Sequence, residues 1–542
     1  SSAAHVAGRQ LVASETGTWL AEHFTETLGE VKQLVDELFS AGVNHVIYHG
    51  CCYSPDDAPW PGWLFYASTE MNPRNSIWRD APALNAYITR CQSILQAGRP
   101  DNDLLLVWPI HDLWHETAGM TQNLTVHRRE WLVNQPLGVT ARRLWDRGYS
   151  FDYVSDRQLA AAQTTKAQVA VPGGSYRAIV VPPCTRLPLE TLQRLFDLAE
   201  AGATVVFQER LPQDVPGLAQ LDSRRAALRQ CLARAALSAT ADGLVQLARL
   251  GSGRILVGDL EAALGAAGIA RESCVDESGL LFVRRATPWG LDYFLANHSG
   301  QALDRWVALT ARAQSVVLLD PMTGRIGSGA CRPGKTGGCE VYLQLQPGES
   351  VVVRTLSVPA AAPGPAWEYQ RSSGDRVELS GTWKVRFLQG GPELPAEYTT
   401  PQLGSWASRE DDACQRFAGT AVYSLTFDAP GADGPYLLDL GRVCQSARVR
   451  LNGQDCGTLI AAPFRVRVGG LRPQGNVLEV EVTNVSANRI RDLDRRQVAW
   501  RVFHDINLVN LDYRPFDASE WPLYDSGLLG PVTLVKAESL AP

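Results

Sequence analysis

The stretch from Leu11 to Asn75 constrains this chain more than any other. It opens on the apolar run LVASE, passes through TLGEVKQLVDELFSAG and VNHVIYHG, and ends in a long aromatic loop, CCYSPDDAPWPGWLFYASTEMNPRN. Thr27 with Glu30 three residues on is a capping box, and Leu28, Val31, Leu34, Val35, Leu38 and Phe39 fall on one helical face. Gly42 suits the left-handed position that ends such a helix. Leu11 to Ala13 and Val43 to Ile47 read as short strands buried on both faces of a parallel sheet. In a strand, helix, parallel strand unit, chemistry sits at the carboxyl ends of the strands, which here carry Glu15 and the triplet Tyr48, His49, Gly50. A buried strand has no structural use for a carboxylate at its end, so Glu15 is the leading candidate for a functional residue.

The chain of 542 residues is too long for one core, and three or four domains are expected. Boundaries are expected at 1–112, 113–265, 266–358, a linker at 359–379, and 380–542. From Leu104 to about Gly258 apolar runs alternate with helical patterns, as in a doubly wound parallel sheet of flavodoxin-like or amidotransferase-like type. No GxGxxG follows its first strand and no P-loop sequence occurs, so a structural or assembly role is the plainer reading there. From near Ser273, short alternating runs separated by turn residues predict an antiparallel β-sandwich. VPAAAPGPAW reads as a linker. From about Ser380, strands such as TWKVRF, AVYSLTF and NVLEVEVTN predict a second sandwich of jelly-roll type, with a type I′ hairpin turn at Asn452-Gly453.

A net charge of −6 with 20% charged residues leaves no basic patch, which argues against nucleic acid or an anionic membrane as partner. No apolar run is long enough to span a bilayer. The eleven cysteines form no zinc-type cluster and read mostly as free thiols, with Cys331 and Cys339 the one pair placed to bridge a hairpin. The chain starts at Ser1 with no signal peptide ahead of it, so the compartment stays open: soluble, and periplasmic, secreted or cytoplasmic.

The run SSAAHVAGRQLVASE, the helix, VNHVIYHG, then YSPDDAPWPGWLFYASTEMNPRN and the W..AP.LN.YI.R.Q..LQ.G that follows resemble glycoside hydrolase family 106, the α-L-rhamnosidases. Further on, DLGRVCQSARVRLNGQDCGTLIAAPFRVRV and NVLEVEVTN resemble the galactose-binding-like jelly roll attached to many glycosidases. The resemblance implies a (β/α)8 barrel that removes terminal α-L-rhamnose from a carbohydrate or glycoside with inversion, depends on calcium and uses no organic cofactor. It places the Leu11 and Val43 strands as the seventh and eighth of the barrel and Glu15 where the family has its catalytic base. The catalytic acid is then expected near the fourth strand, upstream of Ser1, and this polypeptide alone is expected to be inactive.

Inverting hydrolysis needs one protonated carboxyl and one ionised carboxylate on opposite faces of the sugar. Glu15 suits the second role, with a surface glutamate as the alternative. Glu22 and Glu26 are nearby alternatives for that role, but they precede or open the helix and read rather as solvated, or as favourable to its N-terminal dipole. His49 is a candidate to bond sugar hydroxyls or orient Glu15, or is simply a packed or capping histidine. Tyr48, Asp56, Trp60, Trp63 and Tyr66 are candidate substrate contacts: a stiff loop of flat rings suits the apolar face of a pyranose, although a lid packed on the barrel explains them too. Asp56 and Asp57 suit a hydroxyl or a hard cation, but no ligand spacing assigns a metal. Asn484, Asn488, Arg489, Arg491, Asp492, Trp500, His504, Trp521 and Tyr524 either cap the site mouth or join domains. Two rivals stand beside the rhamnosidase reading: a glycosidase for another sugar such as galactose, and a non-catalytic carbohydrate-binding or scaffolding protein.

Overall fold

A computed structural model of the 542-residue chain describes all residues except 126–127, 242, 277–278, 336, 358–363 and 432–433. Among the described residues it is a mixed α/β, strand-rich, multidomain structure, and no helix is long and apolar enough to cross a membrane.

The N-terminal unit is built on two parallel strands, β1 (Ala13–Thr16) and β2 (His45–Tyr48), joined through helix α1 (Leu28–Ser40). Both halves of the predicted capping box form, Thr27 accepting from the Glu30 amide and Glu30 accepting from the Thr27 amide, and Gly42 takes φ +91°. The strands lie one to three residues later than expected, so Glu15 is within β1, opposite Ile47.

Alternation along the strands gives the pair two unlike faces. Val46 and Tyr48 pack against a core built on α1 and helix α2 (Ala81–Leu95), which includes Val31, Val35, Leu84 and Ile88. The opposite face, with Leu11, Ala13, Glu15 and Ile47, is exposed, Leu11 by 51% and Ile47 by 53%. Burial on both faces is thus corrected to burial on one: among the described residues, no element covers the Glu15 side.

Helices α1 and α2 are in turn roofed by a six-stranded antiparallel sheet from the middle of the chain. Phe294, Ala296 and Val352 join their core, and the Phe39 and Phe294 rings meet edge to face at 5.7 Å. A buried ion pair, Lys32 Nζ to Asp36 Oδ2 at 2.7 Å, sits at this junction, with the ammonium also donating to the Gly348 carbonyl. Unpaired, either charge would be costly there.

The next unit is a seven-stranded sheet. Its strands β3 (Leu104–Val107), β4 (Phe151–Val154), β5 (Ala178–Val181), β6 (Thr204–Gln208) and β8 (Gly253–Gly258) are parallel. Their spatial order is β4-β3-β5-β6-β8, the doubly wound order in which the second strand returns outside the first. Two details differ from expectation. The boundary at 112 falls after β3, so this unit starts near residue 102. Beyond β8 the sheet turns antiparallel, because β7 (Val245–Leu250) and β8 are joined by a tight turn at Gly251-Ser252.

Arg284 fixes this sheet to the middle one. It lies 5% exposed and pairs with Asp103 at 2.7 Å, Glu272 at 2.9 Å and Asp101 at 3.1 Å. Cys331 and Cys339 lie on adjacent strands of the middle unit, and all eleven cysteines are free thiols.

The last unit packs a four-stranded sheet against a six-stranded one around Trp383, Trp406, Phe417, Tyr423 and Val480. Asn452 and Gly453 take φ of +53° and +81°, as a type I′ turn requires. Of the predicted linker, 359–363 lies outside the described residues, whereas Tyr369–Glu378 is a ten-residue strand paired with Thr533–Leu540. Its polar run QRSSGDRVE reflects an exposed edge strand rather than a linker.

Candidate active site

Glu15 points from the open face of β1, and its Oε1 accepts a 2.6 Å hydrogen bond from the Thr18 hydroxyl. That bond holds the carboxylate in one rotamer. Beyond β2, the His49 amide donates to the Thr16 carbonyl at 2.9 Å, carrying the parallel pairing one residue further. The His49 ring lies between the Ala67 carbonyl, 3.3 Å from Nδ1, and the rings of Phe65 and Tyr66 at 4.8 and 5.9 Å. If Nδ1 donates to that carbonyl, Nε2 is left as an acceptor. Tyr66 also meets Trp19 edge to face at 6.2 Å, four residues past Glu15. The chain thus gathers Glu15, Trp19, His49, Phe65 and Tyr66 at the carboxyl end of the parallel pair.

Other candidates do not join this group. Tyr48 alternates to the opposite face, where its hydroxyl donates to Asn85 Oδ1 at 2.8 Å on α2; burial there pushes its phenol pKa up. The physical reason is strand parity: neighbouring residues cannot both face the site. Trp60 is an anchor. Its indole N–H donates to the Arg74 carbonyl at 2.9 Å, the Arg489 guanidinium stands 3.8 Å from the ring centroid, and Phe24 packs at 6.0 Å. With its partners so arranged, Trp60 is not a free platform for sugar. Burial lowers the Arg489 pKa to about 10. Trp63 stays half-exposed against Phe503, and Asp56 is exposed on the loop.

The polar residues of the C-terminal unit serve as braces for this loop. Arg448 pairs with buried Asp80 at 2.6 Å, Ser446 donates to the same carboxylate at 2.6 Å, and Ser486 donates to Asn75 at 2.9 Å. Arg491 bonds the Trp521 carbonyl and Asn488 the Tyr524 carbonyl, so these side chains close the interior of their own unit. Trp500 packs with Phe516 and Trp521 in a small core that also holds Phe24 and Leu64, which fastens the loop to the C-terminal unit.

Beneath the loop lies a buried acidic group that joins Glu22 and Glu26 to Glu70. Glu26, expected to be solvated, is 2% exposed, and burial drives its carboxyl pKa well above the usual range, with Glu70, Glu30 and Glu22 adding repulsion. Glu70 is fully buried and 3.3 Å from His23 Nδ1; burial raises its pKa while the imidazole pulls it back. Its φ of +48° is a left-handed conformation that a glutamate rarely adopts, and such strain often marks functional regions. No spacing rule links His23 to Glu70, 47 positions apart, so the sequence holds no signal for the pair. Calcium prefers six to eight oxygen ligands. Among the described residues no group of three or more Asp, Glu, His or Cys side chains converges to hold a metal ion.

The structure of a rhamnosidase from Novosphingobium sp. PP1Y matches with a TM-score of 0.75 at 26% identity, over 99% of this chain and 48% of that one. The chain therefore spans about half the length of that relative. A protein of Formosa agariphila that carries a beta-glucuronidase name is 33% identical over 186 residues, 29% of this chain and 15% of its own. A family model described as alpha-L-rhamnosidase matches residues 1–329, more than half of the chain and all of the residues gathered around Glu15. The chain belongs to the α-L-rhamnosidase family, glycoside hydrolase family 106.

Proposed function

We propose that this chain forms the base side of an inverting α-L-rhamnosidase that removes terminal α-L-rhamnose from carbohydrates or glycosides. The observation that carries the reading is the uncovered face of the parallel pair, with Leu11, Ala13, Glu15 and Ile47 on it and Glu15 nearest the carboxyl end. In a (β/α)8 barrel alternate residues of each strand fill the interior, and catalytic groups cluster at the carboxyl ends. β1 and β2 are then neighbouring barrel strands, α1 and α2 belong to the outer helical ring, and the two sheets of the last unit form a galactose-binding-like jelly roll that braces the aromatic loop.

In inversion the Glu15 carboxylate takes a proton from a water molecule, whose oxygen attacks the anomeric carbon as the bond to the leaving oxygen breaks. A second carboxyl, from a barrel strand other than β1 and β2, gives its proton to that leaving oxygen. The two groups stand about 6.5–9.5 Å apart to admit the water. Thr18 holds the base in one rotamer, His49 Nε2 accepts from a sugar hydroxyl, and the ring of Tyr66 packs against the apolar sugar face.

Following the released sugar by proton NMR, with the longer protein that contains this chain, tests the reading. An aryl α-L-rhamnoside should yield β-L-rhamnose first, with mutarotation later. Initial release of α-L-rhamnose, or turnover of an aryl β-D-glucuronide in place of the rhamnoside, would overturn it.

A further inference from the structure

The segment 498–516 belongs to the C-terminal unit, yet it reaches the rim of the Glu15 face, nearly 500 residues away in sequence. Three contacts put it there. The Trp19 indole N–H donates to the Tyr513 hydroxyl at 3.1 Å, and the two rings meet edge to face at 5.5 Å and 71°. The Leu511 amide donates to Glu22 Oε1 at 3.0 Å. Phe503 meets Trp63 at 5.3 Å and 73°.

Edge-to-face packing engages the face of one ring and the edge of the other, leaving flat surface unused. Tyr513 is 50% exposed, Phe503 43% and Trp63 36%, and Tyr513 and Phe503 come from the same segment of the chain. Tyr513 also has φ +57°, an uncommon conformation for a bulky residue. It is imposed by a turn in which the Asn510 side chain accepts from the amides of Asp512 and Arg514 at 3.0 and 2.9 Å. A turn that holds an aromatic residue in strain and half in water, and ties it to the loop that follows Glu15, is built to present that ring. The segment also lies outside the family-model match, which ends at 329.

We propose that Tyr513 and Phe503, with Trp19 and Trp63, wall a leaving-group subsite that takes the flat apolar face of the first aglycone ring, whether pyranose or aromatic. This rests on the hydrolase reading above. The sugar to be cleaved sits at the strand ends beside Glu15; Trp19 and Tyr513 lie further out, where the leaving group emerges. A pyranose face or a phenyl ring both stack on such surfaces.

The test compares kcat/KM for 4-nitrophenyl α-L-rhamnoside, for a rhamnosyl-glucose disaccharide and for methyl α-L-rhamnoside, which has no aglycone ring, in the longer protein. Tyr513→Ala should lower the ratio of either ring-bearing substrate to the methyl glycoside by roughly five- to tenfold, mainly through KM. Phe503→Ala should do the same more weakly, and Tyr513→Phe should restore the ratio. Equal losses on all substrates, as from a misplaced loop, or an unchanged ratio would overturn the subsite. A fall for the aryl glycoside alone assigns it to aromatic aglycones, and a fall for the disaccharide alone to sugars. Failure of the unaltered protein to cleave any rhamnoside would instead remove the hydrolase reading, and the subsite with it.

Discussion

Replacing Trp60 separates two roles that the aromatic loop could give it. As an anchor, Trp60 contributes its N–H bond to the Arg74 carbonyl and the stacking of Arg489, whose guanidinium is largely buried. The hydrogen bond is worth about 0.5–1.5 kcal/mol. The cation–π contact in a desolvated setting is worth about 0.5–2 kcal/mol. With the packing against Phe24, Trp60→Ala should cost about 3 kcal/mol, roughly a hundredfold in the equilibrium for local opening of the loop. Trp60→Phe keeps a ring beneath Arg489 and should cost about 1 kcal/mol, near fivefold. Hydrogen exchange of the loop amides reads this directly, because Gly62 is held by the Pro59 carbonyl and Trp63 by the Ser54 hydroxyl. Both amides should exchange faster in that order of variants, with the β-sheets of the last unit unaffected. Unchanged exchange together with a raised KM for a rhamnoside would show that Trp60 touches sugar and that the anchor is misassigned.

Other consequences are open to measurement. Arg284→Met leaves Asp103 and Glu272 buried without their cation, which costs about 3–5 kcal/mol; calorimetry should show the transition of the middle units falling by roughly 5–20 °C, and a shift under about 2 °C would count against the strut. Glu26 has a raised carboxyl pKa in the fold, so its ionisation favours the unfolded state once pH exceeds the ordinary glutamate value of 4.5. Its stabilising protonated state is complete at low pH and is lost as pH climbs toward the raised value. Glu26→Gln should therefore match the native chain near pH 4 and become the more stable of the two as pH rises, by up to about 1.4 kcal/mol per pH unit. A difference in melting temperature that does not change with pH would refute this, and Glu70 and Glu22, which face the same group, are kept intact for the comparison.

What could be read from the sequence was local. The capping box at Thr27, the stop at Gly42, the turn at Asn452-Gly453 and the apolar runs of β3 to β6 each carry their cause within a few residues. Tyr48 and His49 are adjacent in sequence, yet alternation sends one to α2 and the other to the Glu15 side. Trp60 looked like a platform because its cation, Arg489, lies more than four hundred positions away. Glu26 and Glu70 are buried by cover from the aromatic loop and the C-terminal segment, which no local pattern announces. The same distance hid Tyr513: nothing near it in sequence says that it meets Trp19.

The turnover of Glu15→Gln in the longer protein tests the central assignment most directly. The amide keeps the shape and can still bond Thr18, but it cannot accept a proton from water. Loss of a general base costs typically about 10²–10⁴ in rate. The assignment predicts a fall in kcat on an aryl α-L-rhamnoside of at least about a hundredfold with KM and melting temperature little changed. Turnover within a few fold of the native enzyme would contradict it and take Glu15 out of the chemistry.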